Sequence, residues 1–207
     1  MPKITQQQKE AVRTDILKAA RTVFIDKGYE AASMKEIVEC SGRSFGGVYL
    51  YYSNKEDVFL DLLHRQFEEM AASFVPDKPV SAWGAFERFF SEQERRSREV
   101  EGGLAPCMYE YFIVGRRDEK RRSLIDARHR AVYGSVLALV QNGIQRGEFH
   151  PSKPVDTFVH WLVSFLDGIF LESIITGSER IELAKQFELL QSVCRSILMP
   201  SGPEGLI

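Results

Sequence analysis

The residues between positions 33 and 55 carry the chemistry least like that of a packing helix. Phe45-Gly46-Gly47-Val48-Tyr49-Leu50-Tyr51-Tyr52 sets two consecutive glycines inside a helical stretch, at a cost of about 1 kcal/mol each relative to alanine. A helix that only packs gains nothing from that cost. A surface that must approach another backbone closely does. The neighbouring tyrosines and Lys55 add hydroxyls and a cation, groups that suit phosphate oxygens. The free N–H groups of the helix that follows are of the same kind. The segment points to contact with a nucleic-acid backbone.

Bond-making chemistry finds no comparable support. The four histidines (His64, His129, His150, His160) have no metal-ligand spacing, and none lies close in sequence to a cysteine. There is no phosphate-binding glycine loop, dinucleotide fingerprint or nucleophile elbow. The many acidic residues read as solvated helix faces. No catalytic residue, metal or cofactor is expected.

Helices must position the segment. Val12, Ile16, Ala19, Ala20, Val23 and Phe24 repeat with the period of a helix burying one face, and Gly28 ends it. Ser33-x-x-Glu36 is a capping box opening a short helix to about Cys40, which Gly42 closes. Ser44 caps another to about Tyr51, and Asn54 caps a longer one from Lys55 to about Phe74. Two short helices around Ser41-Gly42-Arg43 make a helix-turn-helix. Pro76 and Pro79 mark the main boundary. Five further helices follow at about 80–100, 105–116, 119–146, 154–176 and 179–198, and the tail from Pro200 reads as loose. The expected fold is all-α, with about nine helices. A three-helix helix-turn-helix domain (1–55) leads through a connecting helix (55–74) to a C-terminal bundle (75–207) for ligand binding and dimerisation.

The match to a known family lies in these same residues. Positions 12–63 resemble, without gaps, the DNA-binding domain of TetR-type transcriptional regulators. The likeness runs through Phe24, Lys27-Gly28-Tyr29, Ser33, Ile37, Ser41-Gly42, Ser44, Gly46, Tyr49, Tyr51-Tyr52-Ser53 and Lys55-Glu56. The resemblance implies that Ser33 and Lys35 touch DNA backbone or base edges, and that Phe45, Gly46 and Gly47 begin the base-reading helix. Ser44 belongs to the same interface, and Tyr49, Tyr51 and Lys55 match phosphate-contacting positions. Tyr52 matches a core aromatic. Three positions depart from the family pattern: Phe45 where lysine is frequent, Gly47 where threonine is frequent, and Arg43 at an apolar turn position. With the usual polar readers missing, apolar contact of Phe45 with thymine methyls remains, together with close backbone approach and an added contact from Arg43.

Charge and composition fit this reading. The 207 residues hold 27 basic and 29 acidic side chains, a net of -2, which excludes a histone-like binder. Residues 1–55 nevertheless carry a net of +3 and residues 56–207 a net of -5. Cys40, Cys107 and Cys194 are odd in number and far apart, as in a reducing compartment. Met1 to Lys9 is polar and lacks the apolar core of a signal peptide. The apolar run Phe158 to Ile175 contains His160, Asp167 and Glu172, which argues against spanning a bilayer. A cytoplasmic location and no membrane partner are expected.

The helix at 154–176 is apolar almost all round and needs cover on more than one side. Together with the stripe on 179–198, it calls for a partner subunit related by a two-fold axis. Phe170, Ile174, Phe187, Leu190 and Cys194 are the expected dimer contacts, and the resemblance implies the same pairing of the last two helices. Aromatics gather between the boundary and these helices. Trp83, Phe86, Phe90, Met108, Tyr111, Phe112, Tyr133, Trp161 and Phe165 are the expected lining of an effector cavity, with His129, Glu110 and His160 as polar handles. The expected function is a homodimeric, ligand-responsive regulator, a repressor released from a near-palindromic double-stranded operator by a bulky, mostly apolar effector. The alternative is a helical small-molecule-binding or adaptor protein whose DNA reading has decayed.

Overall fold

A computed structural model describes residues 5–73 and 81–200. Among them are nine α-helices and no strand: α1 (Gln6–Ala31), α2 (Met34–Ser41), α3 (Phe45–Tyr49), α4 (Lys55–Ser73), α5 (Ala82–Arg98), α6 (Ala105–Val114), α7 (Glu119–Gln145), α8 (Val155–Thr176) and α9 (Leu183–Leu198). The boundary at Pro76 and Pro79 and the tail beyond Pro200 lie outside the described residues.

Local signals set most of these limits. Gly28 leaves the helix with φ 79 and ψ 170, so α1 turns sharply there before its last residues. Only glycine adopts that backbone cheaply. Ser33 and Glu36 form the reciprocal cap of α2, and Gly42 closes it at φ 63. One expectation changes: the last helix starts at Leu183, not near 179. Glu182 takes a left-handed conformation (φ 49, ψ 42), and residues 178–182 form a turn whose Ile181 side chain is buried.

The chain divides into two compact units, and the division is not a single cut. One unit runs up to Met70 and also takes in Gly102–Val114. The other holds Ala71–Glu101 and the chain from Gly115 onward. Helix α6 therefore belongs to the helix-turn-helix unit rather than to the C-terminal bundle. The reason is aromatic packing: Tyr111 of α6 lies 4.7 Å from Tyr29 of α1 and 5.3 Å from Phe59 of α4, ring centre to ring centre. Phe24 joins the same cluster, 4.9 Å from Phe59. All four rings are fully buried, and edge-to-face pairs of this kind add to simple burial.

The second unit is built on α5, α7, α8 and α9. Phe86, Phe90, Val140, Phe149, Val159, Leu162, Phe187, Leu190, Cys194 and Leu198 form its centre. This corrects the expected dimer face. Phe187, Leu190 and Cys194 are enclosed by the chain's own core, because α9 turns its most regular apolar stripe toward α5. Phe170 and Ile174 are partly buried at the flank of α8. By length and composition α8 is the one described helix apolar enough to cross a membrane. Here its inner face fills the core, and two of its acids have partners: Asp156 accepts from the Tyr133 hydroxyl at 2.7 Å and Asp167 from Arg128 at 3.2 Å.

Candidate nucleic-acid interface

Helix α3 is five residues long and is held from one side. Ser44 accepts the Gly47 N–H at 3.1 Å as its cap, and Val48 is fully buried against the unit's core. Just after it, Tyr52 is buried and donates its hydroxyl to Asp61 of α4 at 2.6 Å. Asp61 also accepts from Arg13 of α1 at 2.9 Å and from Arg65 at 3.3 Å. Burial alone would raise the Asp61 carboxyl, but these hydrogen bonds and charges hold it below its usual value. Burial, then the Asp61 bond, pushes the Tyr52 phenol up to about 12. The network fixes the exit of α3 against α1 and α4.

With Val48 and Tyr52 turned inward, the opposite side of α3 faces solvent. Phe45 is 52% exposed and Tyr49 47%. Their rings stack at 6.4 Å with planes 15° apart. Gly46 is exposed between them. Leu50, Lys35 and Ser44 are exposed too, while Ser33, Gly47 and Tyr51 are half-buried. Ser33 shares its hydroxyl with Glu36, and Lys35 lies 3.8 Å from Glu39. The Lys27 ammonium bonds Glu36 from α1, and that bond, with Ser33, lowers the Glu36 carboxyl.

Two of the expected phosphate or base contacts have other occupations. The Lys55 ammonium donates to the carbonyls of Tyr29, Glu30 and Ala32 at 2.8, 2.8 and 3.0 Å. An ammonium has three protons, so the side chain is a clasp on the end of α1 and not a reaching cation. Arg43 donates to Asp15 of α1 at 2.7 Å, which ties the turn to the first helix. Both partners lie more than twenty positions away in sequence, so no local pattern points to them.

Sequence reasoning also missed the role of Glu110. It was a candidate polar handle for an effector, yet its carboxylate accepts the N–H of Tyr29 at 2.7 Å and of Glu30 at 3.2 Å. The only signal was an acid inside an otherwise apolar helix. Cys107, one turn earlier, donates its thiol to the Phe24 carbonyl at 2.7 Å. Burial, with the nearby Glu110 charge, pushes that thiol up to about 11. Tyr111 donates to Glu56 at 2.8 Å. These contacts pin α6 to the helix-turn-helix unit.

The aromatics expected around an effector fall into both units. Met108, Tyr111 and Phe112 are buried in the first. In the second, Phe86 and Phe90 are fully buried and pack ring against ring at 5.5 Å, while Trp83, Tyr133 and Phe165 lie partly buried against the same core. Trp161 is exposed. His160 sits on the surface 4.5 Å from Tyr133 and 6.1 Å from His129, ring centre to ring centre. Among the described residues, no group of three or more histidine, cysteine or acidic side chains is placed to hold a metal ion.

Comparison with known proteins agrees with this architecture. Residues 16–62 match the family model described as bacterial regulatory proteins of the tetR family, and residues 85–184 match a tetracyclin repressor-like C-terminal domain. An uncharacterized HTH-type transcriptional regulator, YfiR, of Bacillus subtilis is 32% identical over 200 residues, covering 95% of this chain and 97% of that protein. The HTH-type transcriptional repressor AcnR of Corynebacterium diphtheriae is 26% identical over 196 residues, covering 95% and 98%. Among solved structures, a TetR transcription regulator from Haloarcula marismortui superposes with a TM-score of 0.78 at 18% identity, over 91% of this chain and 99% of that one.

Proposed function

The chain belongs to the TetR family of DNA-binding transcriptional regulators, and from that premise we propose that it is a cytoplasmic, homodimeric repressor released from a near-palindromic operator by a bulky, mostly apolar effector. The observation that carries the DNA-binding part is the outward side of α3. Two half-exposed aromatics stand there on a helix whose other side is anchored by Val48 and Tyr52. Exposing rings on so short a helix is costly unless a partner covers them.

The dimer reading rests on the outer row of α8. Trp161, Ser164, Gly168, Leu171 and Ile175 recur at alternating steps of three and four, the spacing of a helix-helix seam. Ile175 is 70% exposed, and Leu189 on α9 is 63% exposed. Two recognition helices related by a two-fold axis read successive major grooves about 34–36 Å apart. That spacing is the basis for a palindromic site. The effector reading rests on the wealth of aromatic side chains in the second unit, and on Trp83 and Trp161 lying among them.

The test is a gel shift at graded salt with DNA selected from a random duplex library. A specific band that weakens as salt rises supports the reading. No specific band at moderate salt favours the adaptor alternative, to which the commitment of Arg43 and Lys55 to protein partners lends weight. The two tryptophans then serve as reporters for an effector. A ligand that quenches them while operator affinity stays the same overturns the release mechanism, because coupling between two sites must be reciprocal.

A further inference from the structure

The outward side of α3 is apolar in a way that defines what it can read. Phe45 and Tyr49 sit one helical turn apart with rings stacked. At Gly46, between them, an added Cβ would meet nothing within 4 Å. Three cations of the same unit are engaged with protein: Arg43 with Asp15, Lys55 with three carbonyls, and Lys27 with Glu36. The Ser44 hydroxyl accepts the Gly47 N–H. What α3 itself presents outward is two ring surfaces, bare backbone and the single Tyr49 hydroxyl.

Base edges in the major groove differ mainly in hydrogen-bond donors and acceptors, which a phenyl ring cannot read. The one apolar group there is the methyl on C5 of thymine. A cytosine methylated at C5 presents the same methyl at the same ring position. The ring separation of 6.4 Å approaches two base steps of about 3.4 Å, so the pair can cover methyls two base steps apart on one strand. We infer that the Phe45–Tyr49 pair is the specificity element and selects 5-methylpyrimidines, accepting 5-methylcytosine where it accepts thymine. This rests on the DNA-binding reading above and adds the chemical feature that is recognised.

The test uses the full chain and duplexes enriched from a random library, with affinity read by fluorescence anisotropy at one salt concentration. Each thymine of the enriched site is replaced in turn by uracil, which removes only the methyl. A contacted methyl is worth about fourfold in affinity, the equivalent of ~0.8 kcal/mol. At the same position, a cytosine-guanine pair should bind more weakly than its 5-methylcytosine counterpart by a similar factor. Phe45→Ala should bind thymine and uracil alike at one of the contacted positions while its far-ultraviolet circular dichroism is unchanged. An enriched site that the unmodified protein binds equally with thymine or uracil throughout overturns the inference and leaves the regulator reading standing. Failure to enrich any sequence overturns both.

Discussion

Glu110 of α6 holds the backbone of Tyr29: its carboxylate accepts the Tyr29 N–H at 2.7 Å and the next N–H, of Glu30, at 3.2 Å. These amides follow Gly28, where α1 breaks, so the acid supplies acceptors at the point where the helix ladder is interrupted. Lys55 takes the carbonyls of the same stretch. The segment that leads into the Ser33 cap of α2 is thereby clamped from both sides by charged groups on α6 and α4.

Glu110→Ala should destabilise the helix-turn-helix unit by about 1–3 kcal/mol, the range for leaving a buried donor, here the Tyr29 N–H, without its charged acceptor. Urea denaturation followed by circular dichroism measures it. Gly28→Ala should also destabilise. Its φ of +79 strains any other L-residue, and a Cβ there would come within 2.7 Å of the Glu110 carboxylate. If both variants unfold at the wild-type urea midpoint, the clamp is idle.

Lys55→Met should lower stability by roughly 1.5–3 kcal/mol, since three hydrogen bonds from a charged donor are lost. It should leave the salt dependence of DNA binding almost unchanged. A phosphate-contacting lysine would instead reduce the slope of log affinity against log salt by about one unit. Measuring both quantities on the same variant decides between a clasp and a phosphate contact.

Asp61 makes stability depend on acid. Its carboxyl lies lower in the folded chain than the ordinary aspartate value of 3.8. The contribution is therefore complete above about pH 4 and fades as pH falls through the folded value. Asp61→Asn should accordingly be less stable than wild type at pH 7, with the difference shrinking as the solution approaches pH 3. Thermal melts at three pH values check the sign. A gap that widens toward acid would contradict the assignment.

Thiol reactivity should separate the three cysteines. Cys40 is exposed, while Cys107 and Cys194 are buried, with burial pushing their thiols up to about 11 and about 12. Thiolate is the reactive form. A colorimetric thiol reagent at pH 8 should titrate one group quickly in the native protein and three after denaturation. Two fast thiols in the native state would mean that one of the buried pair is mislocated.

Ile175→Asp and Leu171→Asp place a charge on the outer row of α8 and should yield monomers by sedimentation, with the helix content of the wild type. Cys194→Asp, within the core, should instead unfold the second unit. Dimers persisting in both α8 variants would move the interface elsewhere.

Most helix limits were legible because caps and breaks act over three or four residues. The Ser33–Glu36 box, the Ser44 cap, the turns at Gly28 and Gly42 and the apolar period of α1 all express physics within one turn. The same holds for the core position of Tyr52, which the family pattern anticipates. Tertiary packing decided what local pattern could not encode. It assigned α6 to the helix-turn-helix unit through Tyr111, Cys107 and Glu110, and it closed Lys55 and Arg43 onto partners 23 to 28 positions away. It also chose which apolar face of α9 turns inward, enclosing Phe187, Leu190 and Cys194. A stripe in sequence says that a face will be covered. Only the arrangement of neighbouring helices determines whether the cover is the chain itself, because burial free energy follows the area removed from water and not the identity of what removes it.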